Sequence, residues 1–126
     1  MNEGEAARAV AHKWTEALEN CDSAAIRECY APEMRFWHNC YQVELTGEEH
    51  IRLMERRYFY IYQIPKYIDI RIELIDGGFV QQHILTARLA NEEISQPICL
   101  IGRVNNGRIT RIDEYLTAAP GALGEF

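Results

Sequence analysis

His38, His83 and Glu114 each lie in a stretch where side chains alternate, and each shares its face with apolar neighbours. Met34, Phe36 and His38 form one face. Phe79, Gln81, His83, Leu85 and Ala87 form a second, and Thr110, Ile112, Glu114 and Leu116 a third. Strand side chains alternate between the two sides of a sheet, so the three faces point to one interior. A carboxylate there is costly unless it is paired, protonated or used. An imidazole titrates near neutrality and suits proton transfer. The chemistry implied is general acid–base catalysis. His38 would be the base, and Glu114 would orient it or, kept protonated by desolvation, act as an acid. His83 would be a second acid–base group or would hold a substrate hydroxyl. One buried histidine alone reads as a satisfied core residue, and Glu114 alone as a surface one, because a one-residue slip reverses its face. Three polar groups converging in an apolar interior define a candidate site. Two histidines and a carboxylate can also make a facial metal triad. No HxD or HExxH spacing supports one, so no metal is expected.

The elements that must position these residues are legible in order. Residues 4–19 predict a helix with Ala7, Val10, Ala11, Trp14, Ala17 and Leu18 on one stripe, which faces Trp14 toward the site. Asp22 or Ser23 can cap a second helix through Tyr30, closed by Pro32. Residues 39–45 either extend the first strand or form a loop. Thr46 and Glu49 make a capping box. The third helix that follows carries Ile51, Met54, Tyr58, Ile61 and Tyr62 on a stripe and is ended by Pro65. His12 and His50 occupy helix positions expected to face solvent.

A meander of four strands completes the chain. Tyr67 to Ile75 alternates Ile68, Ile70, Ile72 and Leu74 against Asp69, Arg71 and Glu73, the charged set facing solvent or a second subunit. Turns are expected at Asp76-Gly77-Gly78, Asn91-Glu92-Glu93 and Asn105-Asn106-Gly107. Ile98, Leu100, Gly102 and Val104 share a face of the third meander strand, and residues 117–126 form a small-residue tail. Helices followed by a run of strands predict an α+β fold, with helices on one face of a curved antiparallel sheet.

The chain has 126 residues, 48% hydrophobic and 25% charged, so one globular domain over 1–126 is expected. A formal net charge of −6 argues against nucleic acid or an anionic membrane as the partner. No apolar run approaches the roughly 20 residues that span a bilayer. The acidic start lacks a signal-peptide apolar region, so a cytoplasmic protein is expected. Cys21, Cys29, Cys40 and Cys99 show no CxxC or zinc-finger spacing and are expected to be free thiols.

Taken together, the sequence resembles the nuclear-transport-factor-2-like superfamily, in its ketosteroid-isomerase and SnoaL-like polyketide-cyclase branch. The resemblance is carried by Trp14-Thr15-Glu16-Ala17-Leu18 followed by Asp22, by Tyr30-Ala31-Pro32-Glu33, and by Thr46-Gly47. Gln81-Gln82-His83 and Gly107-Arg108-Ile109 through Glu114-Tyr115-Leu116 complete it. It implies a cystatin-like cone: a strongly bent sheet wrapped around a deep pocket, with three N-terminal helices. It places Trp14 where ketosteroid isomerases hold the tyrosine of their oxyanion hole, His38 where they hold the proton-moving aspartate, and Leu100 or Cys99 where they hold a second, protonated acid. A pair of pocket histidines is similar to the scytalone-dehydratase branch. The resemblance also implies a homodimer.

The function expected is a cofactor-independent isomerase, dehydratase or other lyase. It would act on an apolar cyclic or aromatic small molecule by acid–base chemistry through His38, Glu114 and His83. Trp14, Phe36, Tyr58, Tyr62, Gln81 and Leu100 would form the binding wall. The alternative is a non-catalytic module that binds a ligand in the cone or pairs through the outer sheet face. An epoxide-opening hydrolase would want an Asp/Arg/Asp set in the pocket, and Arg111 and Asp113 fall on the opposite face.

Overall fold

A computed structural model of the chain describes residues 1–117; the rest of the expected tail lies outside the described residues. Helix α1 (Glu3–Glu19) starts where the Asn2 side chain accepts the Glu5 N–H at 2.8 Å. Its predicted stripe is buried from Ala7 to Leu18. Helix α2 (Ser23–Cys29) is capped by Asp22, whose carboxylate accepts the Ala25 N–H at 3.1 Å. It ends before Tyr30, so Pro32 does not close a helix. Pro32 lies inside strand β1 (Tyr30–His38) instead. Only Arg35 to His38 pair with β2, and the register with β6 shifts between Tyr30 and Arg35. Proline is tolerated in such an irregular stretch because its missing N–H breaks no ladder bond.

Residues 39–42 form a turn and Val43–Thr46 form β2. The capping box then opens α3 (Gly47–Leu53): Thr46 Oγ1 accepts the Glu49 N–H, and the Glu49 carboxylate accepts the Thr46 N–H. The helix runs on through a π-helical stretch, Met54–Tyr58, and a last turn, Phe59–Ile61. Strands β3 (Gln63–Ile75), β4 (Gly78–Leu89), β5 (Glu92–Asn105) and β6 (Arg108–Leu116) follow. The Asn106-Gly107 turn has φ of 52° and 74°, the left-handed pair that a two-residue hairpin requires.

The sheet order is β2-β1-β6-β5-β4-β3. The fold is α+β, with the sheet curled but not closed. One pair departs from the antiparallel expectation: β1 runs parallel to β6, so the sheet is mixed. Two further departures are β-bulges. Asp69 has φ 53°, and the β3–β4 register shifts between Ile68 and Arg71. The extra residue turns Ile68 outward, opposite Ile84, while Ile72 stays inward opposite Gln81. The four alternating β3 positions therefore do not share a face. On β6 a shift pairs Ile109 with Val104 and Arg111 with Arg103. Ile109 is thereby buried and Thr110 left as the extra residue, while Ile112, Glu114 and Leu116 keep the predicted inward side.

Strands β4 and β5 meet closely. A Cβ on Gly78 would overlap the Gly102 carbonyl oxygen, and one on Gly102 would overlap the Phe79 ring. The backbone cannot retreat without breaking the ladder, so Gly78→Ala is expected to lower stability by about 2–3 kcal/mol. Urea unfolding would register this as a lower midpoint, and an unchanged midpoint would contradict the close approach.

Candidate active site

Strand pairing sets most of the predicted polar residues in one row across the sheet. Ile72 lies opposite Gln81, Gln81 opposite Leu100, Leu100 opposite Glu114, and Glu114 opposite His38. His83 is in a neighbouring row with Ile98 and Leu116. Helix coverage then divides the row. Helix α1 packs over β3 and β4, and Gln81 Nε2 donates to Thr15 Oγ1 at 2.9 Å and to His83 Nδ1 at 3.0 Å. Beside these bonded residues the inner face opens into a cavity walled by Trp14 and Leu18 of α1, by the third helix and by residues of all six strands.

The cavity holds about 770 Å³ of empty space, its open mouth included. Six of the residues chosen from the sequence line it: Trp14, Phe36, His38, Tyr58, Tyr62 and Glu114. Gln81, Leu100 and His83 are not among its lining residues. Leu100 is packed in the main core, and His83 stands behind Tyr67, whose ring meets it edge-on at 4.8 Å. The expected convergence of three ionisable groups therefore reduces to two from that set, because Thr15 and Tyr67 enclose the third. Met54, Tyr67 and Leu85 also line the cavity without having been anticipated.

His38 Nε2 and Glu114 Oε1 are 3.5 Å apart. The His38 ring accepts the Cys40 N–H at Nδ1, 3.2 Å away. An N–H donor requires a lone pair there, so the neutral ring carries its proton on Nε2, the atom that faces Glu114. The turn making this contact is tied to β6, where Asn39 Oδ1 accepts the Leu116 N–H at 2.9 Å. Burial pushes the His38 pKa down to about 4 and the Glu114 pKa up to about 7. At neutral pH this is a neutral imidazole beside a carboxyl that is partly ionised, not an ion pair. Glu114 keeps 16% side-chain exposure, and that surface faces the cavity.

His50, expected in solvent, is 3% exposed and lines the cavity. Its ring stacks on Phe36 with centroids 3.7 Å apart and contacts Tyr30 Oη at 2.8 Å. The signal was present in the spacing, since His50 precedes Met54 by one helical turn and Tyr58 by two. The Trp14 N–H is already engaged, donating to Tyr30 Oη at 3.0 Å. The Tyr62 hydroxyl is buried in the cavity wall with no hydrogen-bond partner among the described residues. Also among the described residues, no group of three or more His, Cys, Asp or Glu is placed to hold a metal ion. The outward Arg111 pairs with Asp113 and Glu44, each at 2.9 Å, on the far side of the sheet.

The profile of the SnoaL-like domain matches residues 11–112, the span that holds the second half of α1, the whole third helix and β6 as far as Ile112, so that Glu114 lies just past it. The chain belongs to the SnoaL-like family. Within the nuclear-transport-factor-2-like superfamily it is similar in fold to many solved structures. One is a Mycobacterium tuberculosis LEH-like epoxide hydrolase, 16% identical, with 92% of this chain and 86% of the other covered and a TM-score of 0.78. Another is a candidate isomerase from Bacillus subtilis, 13% identical, covering 93% and 90%, with a TM-score of 0.82. A third is a protein of ketosteroid isomerase-like fold from Catenulispora acidiphila, solved with trimethylamine. It is 11% identical, covering 90% and 88%, with a TM-score of 0.75. No curated protein sequence matches. Identities this low establish the SnoaL-like fold alone. Of the SnoaL-like chain's described residues, no helix is long and apolar enough to cross a membrane.

Proposed function

We propose that this SnoaL-like domain binds a small, mostly apolar cyclic or aromatic molecule and moves a proton on it, with Glu114 as the base. The reaction classes are isomerisation, dehydration or a related elimination. One observation carries the reading: a carboxyl in the wall of a mostly apolar cavity with a histidine ring nitrogen 3.5 Å away, where burial pushes its pKa up to about 7. A base is most effective when its pKa lies near the working pH. The roles anticipated from the sequence are thereby exchanged. His38 has its Nδ1 lone pair occupied and its proton on Nε2, so it orients Glu114 and supports its ionised form. Glu114 takes a proton from a carbon beside a carbonyl, and the C–H electron pair becomes the new C=C as the carbonyl oxygen gains charge. Returning the proton to another carbon isomerises the substrate; if instead the enolate expels a β-hydroxyl, which takes the proton from Glu114 and leaves as water, the substrate is dehydrated. Tyr62, with its pKa pushed up to about 12 by burial, offers a neutral hydroxyl to a polar group of the ligand. Among the solved relatives are an epoxide hydrolase and a candidate isomerase. The outward position of Arg111 and Asp113 favours the isomerase-type chemistry over epoxide opening.

The test is carbon–hydrogen exchange in D₂O, followed by proton NMR, over a panel of cyclic ketones, enones and hydroxylated ring ketones. Protein-dependent loss of the signal beside the carbonyl is expected for at least one class. Saturable binding with no exchange across the panel from pH 6 to 9 would favour a ligand-binding module instead.

The outer sheet face supports the pairing of two copies. Ile68, Ile70 and Tyr115 are 44%, 37% and 45% exposed there. Burying such surface drives association. In sedimentation velocity the protein is expected to run as a dimer and the Ile70→Glu, Tyr115→Glu double variant as a monomer. A monomeric wild type would dismiss the idea.

A further inference from the structure

Trp14, Tyr30 and His50 form a hydrogen-bond chain with only one direction. An indole N–H can donate but not accept, and it donates to Tyr30 Oη at 3.0 Å. The Tyr30 hydroxyl must place its own proton, and its other partner among the described residues is His50 Nδ1, at 2.8 Å. The hydroxyl therefore donates, Nδ1 accepts, and the imidazole carries its proton on Nε2. Phe36 covers one face of the ring, 3.7 Å away and within 9° of parallel. The ring lines the cavity, close enough to His38 for that residue to disfavour a charge on it. With Nδ1 engaged and one face covered, the polar group left for a guest is Nε2–H.

We propose that the His50 Nε2–H, fixed by the Trp14–Tyr30 chain, anchors the ligand's oxygen, and that the site takes enolisable carbonyl compounds and the phenols that mimic their enolates. A donor at the end of a chain is polarised by the donors behind it. Burial, reinforced by His38, lowers the His50 pKa to about 3, so the group acts as a fixed neutral dipole and not as an acid. A donor held in place beforehand needs no reorganisation as charge develops on an oxygen that it meets. His38 and His50 thus divide the work: one N–H faces the base, the other the oxygen. Trp14 acts through Tyr30 and is a positioning residue. Naming an enolate rests on the proton-transfer reading of Glu114, and the readouts below separate the two.

The test uses ¹⁵N-labelled full-length protein and 4-nitrophenol as the probe. Two-bond proton–nitrogen spectra should show His50 as the Nε2–H tautomer at pH 7, and its Nε2 resonance should move when 4-nitrophenol binds. Tyr30→Phe should release the tautomer and weaken binding several-fold. His50→Phe, which keeps a ring on Phe36, should weaken it about 10-fold or more. Glu114→Gln should keep the His50 response. An Nδ1–H tautomer in the wild type, or bound probe with an unmoved Nε2 resonance, overturns the inference even if His50→Phe does not fold. If the resonance responds but no substrate exchanges its proton, the anchor stands and the Glu114 reading falls. If exchange proceeds with unchanged kcat and KM in Tyr30→Phe, the Glu114 reading stands and the anchor falls.

Discussion

In the Glu114→Gln variant, proton exchange on a responding ketone is expected to fall about 10³-fold or more, while the cavity keeps its shape. Glutamine matches the carboxyl in size but has no basic lone pair at neutral pH, so the loss reports the base and not the packing. General bases contribute about 10²–10⁴-fold, and a positioned base in a dry site sits at the upper end. The pH profile discriminates between the two candidate bases. Glu114 works when ionised, so exchange should rise through pH about 7 and level off above it. If His38 were the base, its pKa of about 4 would hold the rate flat down to that pH. His38→Phe should cost less than Glu114→Gln, on the order of 10-fold to 100-fold, because it removes an orienting donor. A rate in His38→Phe lower than in Glu114→Gln would return the base to His38.

Acidification is expected to remove roughly 4 kcal/mol of stability between pH 6.5 and 4.5. Burial holds His38 and His83 near pKa 4 and His50 near 3, against about 6.5 in the unfolded chain. Between those values the unfolded state binds three protons that the folded state does not, so stability falls as pH falls. Glu114 acts in the opposite sense. Its folded pKa of about 7 lies above the unfolded value, so the folded state binds the extra proton and stability falls as pH rises from about 4.5 to 7. The net excess is about two protons in favour of unfolding in acid, each about 1.4 kcal/mol per pH unit. Domain stabilities are about 5–15 kcal/mol, so thermal unfolding scans should show the transition dropping steeply below pH 6. A flat profile would place at least two of these rings in contact with solvent.

Local chemistry was what the sequence made legible. The capping box at Thr46 and Glu49, the Asp22 cap, the Asn106-Gly107 hairpin and the α1 stripe all depend on neighbours within a turn, and all appear in the fold. The inward positions of His38 and Glu114 followed from alternation. What failed depends on contacts distant in the chain. The Asp69 bulge inserts one residue and splits a clean run of isoleucines between two faces, though no residue type there announces it. Gln81 and His83 are inward as expected. The helix that covers them decides that they bond to each other and to Thr15 and do not reach a ligand. His50, read as a polar helix position facing solvent, is buried, and its helical spacing to Met54 and Tyr58 marked a packed face. The Trp14–Tyr30–His50 chain joins three elements and leaves no trace in any one of them.

The parallel pairing of β1 with β6 joins strands separated by about 70 residues of chain, and this bears on the order of assembly. The hairpins β3 to β6 are local and can form as they are made. Strand β1 is synthesised early but must wait for β6, because closing so long a loop is rewarded only when both strands are present. Until then the inner edge of β6 stands open to strands of other chains. His38 arrives with the first strand and Glu114 with the last, so the cavity becomes competent only at the final step of folding. A refolding protein should recover hairpin structure first, pass through a window sensitive to concentration, and gain exchange activity last.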